Sequence, residues 1–402
     1  MTYQELCSFE TLYLAYKEAR KGKRKKQGTA QYEANALACT EKLSRVLSQK
    51  TYKPSKFEVF TVFEPKKRLV QAPAFVDKVV LHAVTDNILY DAICKSFIRD
   101  NHASQIGKGT HDGLMRLKHH MVDYYRKNKT AEGWVLKCDV RHFFASIDHD
   151  LLKAKLKALC IKRGVDMEIY DLMCIYIDAS EGLPLGYQTS QLLALMFLDE
   201  FDHYIKETRR CRYYGRYMDD FYIIAPTKKE LQELLADILR WMGDVKLELN
   251  QKTGIYPLRN GIDFLGFHSY LTDTGAVVQK LRRESINRIR NRIKQWKKDY
   301  PAGKVTKDEI ITRFRGWDAH AAHGETYALR LKYAKQVSEL IGEDIKPRRK
   351  INSTNIVKQK RRMRQEQQIR RKRGEPVTSA ALFQSGQQSD DMPPWMEYTM
   401  RR

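Results

Sequence analysis

Residues 211–226, CRYYGRYMDDFYIIAP, hold two aromatic and β-branched runs either side of Met218-Asp219-Asp220. That pattern reads as a β-hairpin with two acids near its bend. A second apolar run, residues 134–136 in GWVLKCDVRHFFASID (133–148), reads as a strand ending at Asp139, with His149-Asp150 opening the next helix. A fold that sets this strand beside the hairpin gathers three carboxylates from positions 80 residues apart (219 − 139). The plainer alternative for Asp219-Asp220 is a polar turn, which paired aspartates suit.

The rest of the chain surrounds these segments with helices. Residues 1–50 read as two helices separated by the basic stretch KGKRKKQGT (21–29), either a solvated loop or one that touches nucleic acid. Residues 57–72, FEVFTVFEPKKRLVQA, alternate as a hairpin whose turn, Glu64-Pro65-Lys66-Lys67, carries bases at its tip. Helices are expected at about 75–98 and 111–127. Residues 181–205 read as a Pro/Gly loop leading into a long amphipathic helix, and 228–243 as a further helix. Short strands follow over 245–270, then a basic helix over 280–299 and a helical pair to about 342.

Bulk charge narrows the partner. Across 402 residues, 73 Lys and Arg stand against 49 Asp and Glu, a net +24. Such an excess favours a polyanion, because each phosphate neutralised releases a condensed counterion. Residues 346–373 hold 13 of those bases and one acid, Glu366, and residues 374–402 are rich in Ser, Gln and Pro. That tail has too little apolar surface to fold alone and is expected to be disordered, or helical only on RNA. No stretch approaches the roughly 20 apolar residues that cross a bilayer, so no membrane role is expected. The N-terminal MTYQELCSFE lacks the regions of a signal peptide. Seven scattered cysteines with no CxxC pair point to thiols in a reducing, cytoplasmic setting.

Clustered carboxylates suit phosphoryl transfer from a nucleoside triphosphate, where two hard divalent ions, roughly 4 Å apart, need oxygen ligands. The motifs carry a resemblance at this point. RYMDDF looks like the catalytic motif of reverse transcriptases, and KCDVRHFFASID like their first aspartate motif. LPLGYQTSQ resembles their primer- and nucleotide-gripping loop, GIDFLGF their primer-grip hairpin, and EPKKRLVQAPAFVDKVVLHAV their fingers segment. The similarity covers about residues 57–330. TSQ after the glycine, KGTHDG (108–113) and RGWDAHAAHG look like the enzymes of diversity-generating retroelements. Bacterial group II-like enzymes, some serving in antiphage defence, are a close second.

The resemblance implies roles residue by residue. Asp139 and Asp219 would be shared metal ligands, Asp220 would complete or tune the site, and the Val140 carbonyl would add a ligand. The ions would be two magnesium ions, with manganese able to substitute. Phe144, five residues after Asp139, matches the steric gate that rejects a 2′-hydroxyl; a core aromatic is the alternative. Arg68, with Lys66 second, would clamp the β and γ phosphates. Gly186 would let the backbone approach the nascent base pair, and Gln191 would meet the minor groove or template strand, or cap its helix. Lys252 sits where relatives carry a lysine that protonates pyrophosphate; a surface lysine is the alternative. His320 and His323 read as thumb packing or RNA contacts. Leu185 departs from the family, which often places Gln before this glycine; losing that amide should weaken discrimination among nucleotides. Simple packing on the palm is the alternative there.

The expected fold is an α+β right-hand polymerase: fingers (1–132), a palm with an antiparallel sheet (133–270, with a helical insertion at about 150–180), a helical thumb (271–345) and the basic tail (346–402). The expected activity is RNA-directed DNA synthesis from dNTPs on an RNA template with a DNA or RNA primer, with an accessory RNA-binding protein as a further partner. A silent RNA-binding scaffold and an RNA-templated RNA polymerase are the competing functions, opposed by the intact carboxylates and by Phe144 respectively.

Overall fold

The computed structural model describes residues 1–63 and 68–348. Its first 48 residues are helical, with α1 (Tyr3–Leu6), α2 (Phe9–Ala19), α3 (Gln27–Ala34) and α4 (Ala36–Ser48). Four helices thus stand where the sequence pattern suggests two. One added break falls at Asn35, which leaves helical geometry at φ −127° between α3 and α4. The antiparallel pair β1 (Glu58–Val62) and β2 (Arg68–Ala72) follows. Next come α5 (Phe75–Val84), a π-helical turn, α6 (Tyr90–Cys94) and α7 (Thr110–Asn128).

β3 (Trp134–Asp139) then enters the central sheet. α8 (His149–Arg163) starts on Asp148, whose carboxylate accepts the Leu151 amide, and ends at Gly164 in the left-handed region. α9 (Met167–Ile177) precedes the Pro/Gly loop and α10 (Gln188–Phe197). The long amphipathic helix expected here is not found. Residues 189–197 of α10 are all buried, and the helix is interrupted at Leu198 before α11 (Asp199–His203). A helix apolar all round belongs in a core, and α10 packs against α5, α6 and α8.

The hairpin β4 (Tyr213–Tyr217) and β5 (Asp220–Ala225), α12 (Lys228–Asp244) and β6 (Gly254–Pro257) complete the central unit. Its sheet order is β4-β5-β3-β6, antiparallel throughout. A second sheet, β7 (Ile262–Phe264), β8 (Phe267–Leu271) and β9 (Val277–Leu281), runs across position 271, where the palm was expected to give way to the thumb. α13 (Arg283–Asp299), α14 (Lys307–Ala321) and α15 (Tyr327–Ile341) pack on one another. Their own core includes Ile293, Trp296, Phe314 and Tyr333.

The end of the described chain remains attached. Ile345 is buried in that three-helix core, and the Arg348 amide donates to Asp318 Oδ2 at 2.8 Å. The first three residues of the tail expected from 346 thus lie against this unit; the remainder of that tail lies outside the described residues. All seven cysteines are free. Among the described residues, no helix is long and apolar enough to cross a membrane.

Candidate active site

The site forms where β3 meets the β4–β5 hairpin. β4 ends at Tyr217 and β5 begins at Asp220, its cross-strand partner, so Met218 and Asp219 are the whole turn. Met218 takes φ +57°, a left-handed conformation unfavourable for a residue with a Cβ. Its side chain compensates by packing with Ala103 and Leu195 in a small cluster that Phe144 and Tyr217 join.

β3 runs antiparallel to β5 with Asp139 directly opposite Asp220. Directly paired residues of an antiparallel ladder share a face, with Cα atoms about 4.5–5.5 Å apart. The Val140 amide donates to the Asp219 carbonyl at 3.1 Å, stitching the end of β3 to the turn. All three aspartates are half-buried. The structure thus brings Asp139, Val140, Asp219 and Asp220 together at one end of the sheet.

Lys137 was not anticipated. It lies two residues before Asp139 on the same face of β3, and its ammonium contacts Asp220. It also lies 5.3 Å from the Phe264 ring centroid. Burial pushes its pKa down to about 8, against the pull of nearby Cys138, Asp139, Asp219 and Asp263. Period-two alternation alone could have found it. Among the described residues, no three His, Cys, Asp or Glu side chains converge into a ready-made metal cage. The donor types still suit a hard divalent cation: Asp219 and Asp220 stand at the turn, Asp139 is paired with Asp220 on the neighbouring strand, and the positive charge nearest Asp220 is the buried Lys137.

The other candidates lie around this centre with differing orientations. Phe143 is buried and Phe144 half-exposed, so the inward-facing ring of that pair is Phe143. Gly186, after half-buried Leu185, lies against β2: an added Cβ would overlap the Gln71 carbonyl oxygen. The close approach seen at this glycine is therefore to the main chain of β2. Gln191 is buried and accepts a hydrogen bond from Ser104; it does not cap α10, whose first residue is Gln188. Lys252 is exposed on a turn whose Asn250 amide donates to the Asp139 carbonyl at 2.7 Å, which sets that turn beside the end of β3. Arg68 opens β2 opposite Val62, and Lys66 lies outside the described residues. His320 and His323 pack at the foot of the three-helix unit, one against Phe267 and the other edge-on to His111.

Protein YkfC of Escherichia coli (strain K12) is 27% identical over 246 residues, covering 50% of this chain and 62% of that protein. Telomerase from Candida albicans, solved with a fragment of telomeric RNA, superposes with a TM-score of 0.48 at 12% identity, covering 76% of this chain and 57% of that one. Apo telomerase from Candida tropicalis gives 0.45 at 12% identity, over 79% and 64% of the two chains. The chain thus spans less than two thirds of each of these relatives. The profile of the reverse transcriptase (RNA-dependent DNA polymerase) family matches residues 53–269, more than half of the 402. With its paired aspartates inside that matched segment, the chain belongs to the reverse transcriptase family.

Proposed function

We propose that the protein is an RNA-directed DNA polymerase, copying an RNA template by adding deoxynucleotides to a DNA or RNA primer. The observation that carries this reading is Asp139 held in register opposite Asp220, one residue from Asp219 at the turn. Asp139, Asp219 and the Val140 carbonyl would hold two divalent cations, with Asp220 completing the set. Bound Mg2+, or Mn2+ in its place, supplies activation of the primer's 3′ oxygen and charge for the leaving pyrophosphate. Lys137 balances the carboxylates, Phe144 stands beside the turn where a 2′-hydroxyl would collide, and Arg68 with Lys66 would clamp phosphates from the fingers hairpin. Gly186 and Leu185 would line the nucleotide, Gln191 would support them through Ser104, and Lys252 would serve departing pyrophosphate. Fingers, palm, thumb and tail would divide the chain near residues 132, 270 and 345.

Asp219→Asn with Asp220→Asn should lower primer extension by about a thousandfold or more, with RNA affinity nearly intact, because RNA contacts rest on distant Lys and Arg. Extension within tenfold of wild type would remove the assignment. Within the family, Leu185 supports the diversity-generating reading. Sequenced cDNA from a defined template should carry frequent errors concentrated at template adenines; accurate, base-uniform copying favours the group II-like or defence reading instead.

A further inference from the structure

Beneath the turn, Arg216 and Asp202 form an ion pair with both side chains fully withdrawn from water. Arg216 Nε donates to Asp202 Oδ1 at 2.7 Å and Nη2 to Oδ2 at 2.5 Å. Tyr214 Oη donates to Asp202 Oδ1 at 2.5 Å, and Asn101 Nδ2 to Oδ2 at 3.3 Å. The backbone of Arg216 is held too: its amide donates to the Asp100 carbonyl at 2.9 Å, and its carbonyl accepts the His102 amide at 3.0 Å.

A buried ion pair is weak as a source of stability, because desolvating two charges offsets their attraction. What this pair adds is direction. The guanidinium hydrogens left over point at two carbonyls: Nη1 donates to Met218 O at 3.0 Å and Nη2 to Leu195 O at 3.4 Å. Met218 is the residue held at φ +57°, a conformation that persists only where its surroundings over-determine it. Leu195 belongs to α10, the helix that follows the Gly186 loop. Both carbonyls of the two-residue turn are therefore gripped, Met218 O by Arg216 and Asp219 O by the Val140 amide at 3.1 Å.

We propose that Arg216, braced by Asp202, is a positioning residue that sets the Met218-Asp219 turn and so aims the Asp219 carboxylate, and that it ties this turn to α10. The inference rests on the reading of Asp219 as catalytic. Deleting the guanidinium lets the Met218 peptide rotate, which moves Asp219 while leaving the binding of primer, template and nucleotide elsewhere untouched.

The test uses the full chain. Arg216→Met with Asp202→Asn removes both charges together, so that neither is left buried and unpaired. Relative to wild type, kcat for single-nucleotide extension should fall about a hundredfold while the dNTP KM and primer-template affinity change less than about threefold. Mn2+ affinity, read by electron paramagnetic resonance without any substrate, should weaken about tenfold or more. Arg216→Lys, which keeps the charge but loses the fork, should restore part of the rate. A double variant that melts like wild type, extends at the wild-type rate and binds Mn2+ equally well overturns the proposal. If the double variant does not fold, Tyr214→Phe decides, since it removes one hydroxyl from Asp202. A several-fold loss of kcat at constant KM supports the proposal, and a wild-type kcat overturns it. The Mn2+ measurement needs no turnover, so it reads the turn even if the polymerase reading fails in the Asp219→Asn/Asp220→Asn experiment.

Discussion

At the scale of single residues, the adjacent rings of Phe143 and Phe144 divide the work. Phe143 is 2% exposed and closes the core beneath β3, which leaves Phe144 as the half-exposed ring near Met218. Phe144→Ala should raise ribonucleotide use relative to deoxynucleotide by about tenfold or more, equivalent to about 1.4 kcal/mol of lost discrimination. Single-nucleotide kinetics check this, and an unchanged ratio would return Phe144 to the core. Residue roles are legible in the sequence to different depths. The acids announce themselves, because two aspartates between aromatic strand runs are a local pattern. Lys137 is readable too, from its alternation with Asp139, although nothing about a lone lysine draws the eye. Gln191 is only partly legible: one sequence cannot show that its amide oxygen accepts a hydrogen bond from Ser104, 87 positions away. The guanidinium of Arg216 is equally silent, since nothing in RYMDD says that Asp202 lies beneath it.

At the scale of elements, local signals carry the hairpins and the capped helices, and long-range pairing stays hidden. The register that sets Asp139 against Asp220 joins segments about 80 residues apart, and alternation says which residues share a face without naming the partner strand. The apolar run in α10 suggests one wet side, yet the helix is buried all round because neighbours cover every face. The packing of α7 and α14 has a consequence in acid. Burial pushes His120 down to about 3 and His320 and His323 down to about 4, all below the ordinary value of 6.5. As pH falls below about 6.5, the unfolded chain takes up protons that the folded chain refuses, so stability drops progressively toward pH 4 and is retained above 7. Melting temperature should therefore decline between pH 7 and 5, and His320→Gln should flatten that decline. A melt independent of pH across this window would mean that these rings are charged in the fold. Asp100 acts lower: despite burial, Arg116 and Lys206 hold it near 2, so its contribution persists through this window and is lost only as pH falls from about 4 toward 2.

At the scale of the whole molecule, a third of the net charge lies beyond the described residues. Residues 349–402 hold 13 Lys and Arg against five acids, a net +8 (13 − 5). Among the described residues the three-helix core extends to Ile345, and the chain is pinned through Arg348 by Asp318. Removing residues 349–402 should leave the fold and extension on saturating short primer-template intact. RNA affinity should weaken and its salt dependence flatten, by about 0.7–0.9 in log–log slope for each phosphate the shortened chain no longer neutralises. Equal slopes for the full and shortened chains would place RNA binding elsewhere. Cutting after residue 345 instead would remove the Arg348 anchor on Asp318 and Arg330, and would confound stability with binding.

The meeting of Gly186 with the Gln71 carbonyl also bears on how such a chain can drift. The obstacle to a side chain at 186 is a main-chain oxygen, so no exchange at position 71 can compensate for it. Position 186 is closed to other residue types while β2 keeps its path. Variation in this loop is thereby turned away from 186, while its neighbour Leu185 is half-buried and meets no such main-chain bar of its own making. A lineage of such chains would keep glycine at 186 for as long as that strand holds its course, whatever else changes around it.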